Sequence, residues 1–141
     1  MIGAAGLLAA LLTLSGCGDS KEGRVSGTVW VDDEPVEDGS INFIPADGQS
    51  QTAGGVIKDG KYSVKVPVGL MKVEIRAPKT IGHKKIYPDQ PNSPVRPVRE
   101  ERLAERYNLK TELTFEVRPG DNEKDFRLPS KQRRGRLTPP D

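Results

Sequence analysis

Apolar residues recur at every second position through most of this 141-residue chain. That is the period of a strand whose successive side chains face opposite ways. Val25, Gly27, Val29 and Val31 share one parity, with Ser26, Thr28 and Trp30 on the other. The run Asp32-Asp33-Glu34-Pro35-Val36-Glu37-Asp38-Gly39 interrupts the pattern with turn residues, and it resumes with Ile41, Phe43 and Pro45. Residues 46–50 form a second turn. Residues 51–58 read as a weaker strand thinned by Gly54 and Gly55, and Asp59-Gly60 is a two-residue hairpin signal. Tyr62, Val64 and Val66 alternate over residues 61–66, and Pro67-Val68-Gly69 turns the chain. Met71, Val73 and Ile75 then share a face over residues 70–77. Leu113, Phe115 and Val117 mark residues 111–117, and Phe126 and Leu128 a last strand over residues 123–128.

Seven short strands with tight turns predict an all-β fold, a single antiparallel Greek-key sandwich of the prealbumin-like or immunoglobulin-like kind. Each strand offers only two to four inward apolar residues, so a second sheet must cover the first. Residues 98–107 alone tolerate a helical reading, through Leu103 and Tyr107. Residues 78–110 break the grammar. Pro78, Pro88, Pro91, Pro94 and Pro97 punctuate a stretch rich in Lys and Arg, which holds His83. Proline removes ladder donors and keeps its predecessor extended, so the stretch reads as a long basic insertion between two strands.

The amino terminus has a different pattern. Residues 2–14 carry no charge, and Leu14-Ser15-Gly16-Cys17 follows. Thirteen uncharged residues are too few to cross a hydrocarbon core, which takes roughly 20 in a helix. They fit the apolar core of a secretory signal, although only the Met1 amino group supplies positive charge ahead of it. The box before Cys17 resembles that of bacterial lipoproteins. The resemblance implies cleavage before Cys17, acylation of its sulfur and new amino group, and membrane attachment through those acyl chains. The expected location is the cell envelope, at the outer membrane, which Gly18 after the cysteine favours, or at the periplasmic face of the inner one. Residues 1–16 are then the signal peptide and residues 17–22 a lipidated tether. Residues 23–128 form the sandwich, with the insertion at 78–110, and residues 129–141 a basic disordered tail.

One Cys and one His preclude an intrachain disulfide and a Cys/His zinc cage. A formal net charge of +2 conceals a segregation. Residues 18–60 hold three basic and nine acidic side chains, and residues 61–141 nineteen and eleven. The cations are densest in residues 79–106 and in the tail Lys131-Gln132-Arg133-Arg134-Gly135-Arg136. A basic tail can bind nucleic acid, but an exported chain meets none, so the expected contacts are an envelope protein or an anionic polymer.

The blocks Gly27-Thr28-Val29-Trp30-Val31-Asp32, Ile41-Asn42-Phe43-Ile44-Pro45 and Asp59-Gly60-Lys61-Tyr62-Ser63-Val64, with Pro67-Val68-Gly69, resemble the carboxypeptidase regulatory-like domain. That domain is a transthyretin-like sandwich. The run from Arg106-Tyr107-Asn108 to Gly120-Asp121-Asn122 is similar to the end of small bacterial lipoproteins that carry it. The resemblance spans residues 23–128 and implies no catalysis. A hydrolase exists within the wider transthyretin-like class, and it is the remote alternative. Its several His and Arg residues and Tyr-Arg-Gly-Ser terminus have no counterpart beside His83 alone and Thr138-Pro139-Pro140-Asp141.

No cofactor is expected. The acidic run Asp32, Asp33, Glu34, Glu37 and Asp38 lacks the spacing of a calcium loop. Trp30 and Tyr62 lie on strands, where an aromatic ring more often packs than stacks on sugar. The expectation is a non-catalytic, lipid-anchored envelope protein that serves as an adhesion, scaffolding or partner-binding module. A polysaccharide-binding domain is the alternative. Besides the lipidation site Cys17, the candidate partner surface is His83, Lys84, Lys85, Arg96 and Arg99 in the insertion.

Overall fold

The computed structural model describes residues 21–131. Cys17 and the residues expected to form a signal peptide, and the tail beyond Lys131, lie outside the described residues. The fold is all-β, as the alternation requires. In chain order the strands are β1 (Glu22–Val31), β2 (Glu34–Pro35), β3 (Asp38–Pro45), β4 (Ala53–Lys58), β5 (Lys61–Pro67) and β6 (Gly69–Arg76). There follow β7 (Pro78–Lys85), β8 (Val95–Glu101), a single 3-10 turn at Glu105–Tyr107, β9 (Thr114–Val117), β10 (Gly120–Glu123) and β11 (Phe126–Leu128).

Seven strands run in the order β10-β1-β5-β4-β3-β6-β9, with β2 and β11 added to β1. The sheet curls into two facing layers because β4 and β5 pair only at Lys58 and Lys61, on either side of the Asp59-Gly60 turn. Both turn residues have positive φ, 51° and 80°, which is the twist-matched hairpin geometry that Asp-Gly favours. Beyond that corner the strands splay. One layer holds β10, β11, β1 and β5, and the other β4, β3, β6 and β9.

Alternation along the strands puts the predicted residues between the layers. Val25, Val29 and Val31 of β1, Ile41 and Phe43 of β3, and Val73 and Ile75 of β6 are fully buried. Each contributes about 1.5–3 kcal/mol relative to an exposed position. Tyr62 on β5 sits at the centre of this core. Its ring centroid is 6.4 Å from that of Phe43 and 6.3 Å from that of Phe126, so three strands share one tilted aromatic stack.

The carboxy-terminal strands depart from the all-antiparallel expectation. β9 ends beside Gly69, and the chain then switches layers and runs parallel to β1. Gly23 pairs with Gly120 and Val29 with Phe126. Residues 123–128 read as one strand in the sequence, but Lys124 and Asp125 leave the ladder and divide it into β10 and β11. The break is pinned from three sides. Lys124 N donates to Ser26 O at 2.9 Å, and Thr28 N donates to Asp125 Oδ1 at 2.8 Å. The Tyr62 hydroxyl donates to Lys124 O. Burial, reinforced by the Asp125 carboxylate, holds that phenol well above the usual tyrosine range, so it stays a donor. Gly27 makes room, because a Cβ there would lie 1.9 Å from Lys124 O.

The register also fixes the two ends of the sandwich. Lys21, the β5–β6 turn at Val68 and the start of β10 gather at one pole, where Val68 N donates to Lys21 O at 2.9 Å. The β1–β2 turn, the β4–β5 turn, the end of β6 and Ser130 gather at the other.

Gly27→Ala is expected to cost about 2–4 kcal/mol in urea unfolding, because the Lys124–Asp125 crossing must move. Gly82→Ala, where an added Cβ meets nothing within 4 Å, should stay within about 0.5 kcal/mol of the wild type. Equal stabilities for the two variants would contradict the close approach at Gly27.

Candidate binding surface

The insertion is a ribbon. β7 and β8 pair with each other and with no other strand, from Pro78 opposite Glu101 to Lys85 opposite Val95. The long insertion between two strands is itself paired, and the helical reading of residues 98–107 is corrected here. Residues up to Glu101 are strand, and only Glu105–Tyr107 turn helically. Proline did not prevent pairing, because a two-stranded ribbon has outward-facing amide positions that need no donor. Pro97, opposite His83, occupies such a strand. At the tip, Ile86 N donates to Pro94 O at 2.9 Å and Tyr87 N to Ser93 Oγ at 2.8 Å, so the Pro-rich loop is closed by its own hydrogen bonds.

The ribbon leaves the pole opposite Lys21, where β6 ends. Its two legs are tied together at that point by one carboxylate. Glu101 Oε1 accepts from Ala77 N and from Leu103 N, each at 3.0 Å. Arg102 Nε donates to Ala77 O at 3.3 Å, and its guanidinium lies 3.8 Å from Glu34 Oε2. Ala77 and Leu103 are buried beneath these contacts. From His83 to Pro97 every residue except Ser93 is exposed, so the distal half stands clear of the body.

All five predicted surface residues lie on this ribbon, but on two faces. Lys84 and Arg96 are register partners on one face, which Lys79 and Glu100 share. His83, Lys85 and Arg99 take the opposite face. A bulge at Ile81 keeps the two strands in step between Thr80 and Gly82. Among the described residues no carboxylate lies within 4.0 Å of the Lys84, Lys85, Arg96 or Arg99 cation; the ion pairs formed there are Arg102–Glu34, Lys110–Glu105 and Arg127–Asp33. Two cations directly opposite one another on a ribbon destabilise it. Ile81, Ile86, Tyr87 and Val95 add exposed apolar surface around them.

Two hollows flank the base. One of about 360 Å³ lies between Lys79, Ile81 and Glu100 on the ribbon and Asp32, Glu34 and Lys131 on the body. The other, about 430 Å³, lies between Pro78 and Arg99 and the ends of β3 and β4 at Asp38, Val56 and Lys58. Among the described residues no three His, Cys, Asp or Glu side chains converge on a point where a metal could bind.

Sequence reasoning missed what fixes the pole from which the ribbon departs. Asp32 and Asp33 both adopt positive φ, 51° and 66°, and form a two-residue turn between Val31 and Glu34 without glycine. The Asp32 carboxylate compensates. Its Oδ1 accepts from Ser130 N at 2.9 Å and its Oδ2 from Ser130 Oγ at 2.5 Å. Lys131 N then donates to Arg102 O at 2.8 Å, which brings the carboxy-terminal segment to the ribbon base. The signal was the Asp-Asp pair between two strand patterns, a turn type that usually announces itself with Gly.

Glu101→Ala is expected to leave two amides unpaired at the junction, costing about 1–3 kcal/mol locally. Amide exchange at Ala77 and Leu103 should then accelerate about tenfold or more. Glu101→Gln retains an acceptor and should be milder; exchange unchanged in both variants would contradict the junction's role. No protein-family model, curated protein or solved structure matches the chain, so its function is read from its own residues.

Proposed function

We propose that this chain is a non-catalytic, lipid-anchored protein of the bacterial cell envelope that works as a partner-binding, adhesive or scaffolding module. The signal peptide ends before Cys17, acyl chains on Cys17 hold the protein to the membrane, and residues 18–21 join the anchor to β1. The carboxypeptidase regulatory-like sandwich is the rigid spacer, and the β7–β8 ribbon is the contact element.

The observation that carries this reading is polarity. The segment that would bear the anchor enters the sandwich at Lys21, and the ribbon leaves from the opposite pole. A tethered domain gains effective concentration toward neighbours only if its binding element points at them. An enzyme of the transthyretin-like class would need a convergent set of acid–base groups. The single histidine of the chain, His83, lies on the exposed ribbon instead.

Expression of the full chain in a bacterial host, followed by mass analysis of the amino-terminal peptide, tests the anchor. The membrane fraction should yield a peptide that begins at Cys17 and is heavier by its acyl chains. Cys17→Ala should abolish both the cleavage and the added mass. An unmodified peptide beginning at Met1, recovered from the soluble fraction, would overturn the reading.

A further inference from the structure

We infer that the distal half of the β7–β8 ribbon binds an acidic polysaccharide, a carboxylate-bearing sugar chain laid along and around the ribbon. The inference rests on the reading above of an exported binding module, and it names the class of ligand.

The cations come first. Lys84 faces Arg96 across the ribbon, and Lys85 and Arg99 sit on the reverse side with His83. None of the four strong cations has a carboxylate within ion-pair distance among the described residues. Carboxylates are nevertheless plentiful at the same pole. Asp33, Glu34, Glu37, Asp38 and Asp59 are all exposed there. The distal half is therefore net basic, with Asp89 as its one carboxylate, while the base is rich in carboxylates, and the fold accepts a like-charged register pair. Fold stability alone favours neutral or opposite charges at those positions. An anionic ligand inverts the balance, because each cation it meets relieves the repulsion.

The two-faced distribution selects the shape of the ligand. A partner with a flat surface covers one face of a two-stranded ribbon and leaves the other in water. A flexible chain of repeating charges can neutralise Lys84 and Arg96 on one face and Lys85 on the other, and reach Arg99 where the reverse face meets the base. No enclosed cavity is required, and both hollows lie at the base rather than along the distal half. Tyr87, 55% exposed at the start of the tip, offers a ring face for the apolar side of a sugar. The acidic base repels the same polymer and confines it to the distal half.

Polarity separates this ligand from the headgroups of the anchoring membrane. The tether from residue 17 to residue 21 reaches at most about 17 Å. The ten-residue β1 alone sets the ribbon base about 33 Å beyond the point where the tether attaches. A domain standing on its tether holds the ribbon clear of the bilayer.

The test uses the full chain purified from the membrane fraction and three probes: a soluble polyuronate, neutral dextran, and vesicles containing anionic phospholipid. Polyuronate should bind and dextran should not, and added salt should weaken the complex. Neutralising Lys84, Lys85, Arg96 and Arg99 together to Gln should weaken polyuronate binding about tenfold or more. Lys65→Gln with Lys72→Gln, on the outer faces of the two layers, should leave it unchanged. An equal unfolding midpoint for all variants excludes a folding artefact. Absence of polyuronate binding, or binding indifferent to the fourfold change, would overturn the inference. So would ribbon-dependent binding to the vesicles alone, which would assign the cations to phospholipid. Ribbon-dependent dimerisation without polyuronate binding would overturn it too, by assigning them to the acidic pole of a second copy. The amino-terminal mass of the same preparation reports on the anchor separately. Ribbon-dependent polyuronate binding by a chain that begins at Met1 would sink the tethered reading and support the ligand class.

Discussion

The parallel addition of the last two strands to β1 is the constraint on which the rest of the molecule depends. β1 has the β5 edge on one side, and on the other it would be an open strand carrying Val25, Val29 and Val31 on its inner face. β10 and β11 close that edge, and the break between them at Lys124–Asp125 allows one segment to follow β1 along its whole length. The break works because Gly27 lacks a side chain and Tyr62 supplies a donor from inside the core. A buried hydroxyl without a partner would cost stability, and so would a carbonyl left without a donor. Each satisfies the other. The same closure delivers Ser130 to Asp32 and Lys131 to Arg102, so the base of the ribbon is held by the end of the sequence as well as its middle.

A projecting ribbon has two free edges, and free edges invite pairing with other chains. Lysines and prolines on such edges are a known defence, and Lys79, Lys84, Lys85 and Pro97 serve it here. That defence needs charges at the edges. It does not need two cations placed directly opposite one another, nor a tyrosine and three large aliphatic residues exposed beside them. Edge protection does not account for these features, nor for the Arg96 guanidinium, which has no carboxylate in ion-pair range among the described residues. The acidic turns at the base belong to the same argument. They are paired in part with Arg102 and Arg127, yet the distal cations stay apart from them.

Period-two alternation carried most of the fold in the sequence. The alternating residues from Val25 to Ile75 are buried where parity puts them, because a strand buried on one face has no freedom to shift register by one, whereas Val36, read inside a turn, is buried as well. Asp59-Gly60 was legible for the same local reason. Long-range partners were not legible. Nothing near Phe126 says that its strand pairs with β1 in parallel, and the exception at Lys124–Asp125 is decided by Gly27, almost a hundred residues away. The ribbon was hidden by its prolines and charges, which resemble an unstructured loop when pairing is unseen. His83, Lys84, Lys85, Arg96 and Arg99 were nevertheless grouped from charge density alone, and the hairpin brings them onto one element. Their division between two faces follows from strand alternation once Lys84 is paired with Arg96, and no pattern announced that pairing.

The sandwich holds the ribbon away from the pole at which Lys21 enters it. Spin labels at Lys21 and Asn92, in a chain whose Cys17 is replaced by serine, measure that separation directly. Strand lengths predict roughly 50 Å for a ribbon continuing outward from the far pole. A distance below about 30 Å would mean that the ribbon folds back along the sandwich, and the account of a presented binding element would fail.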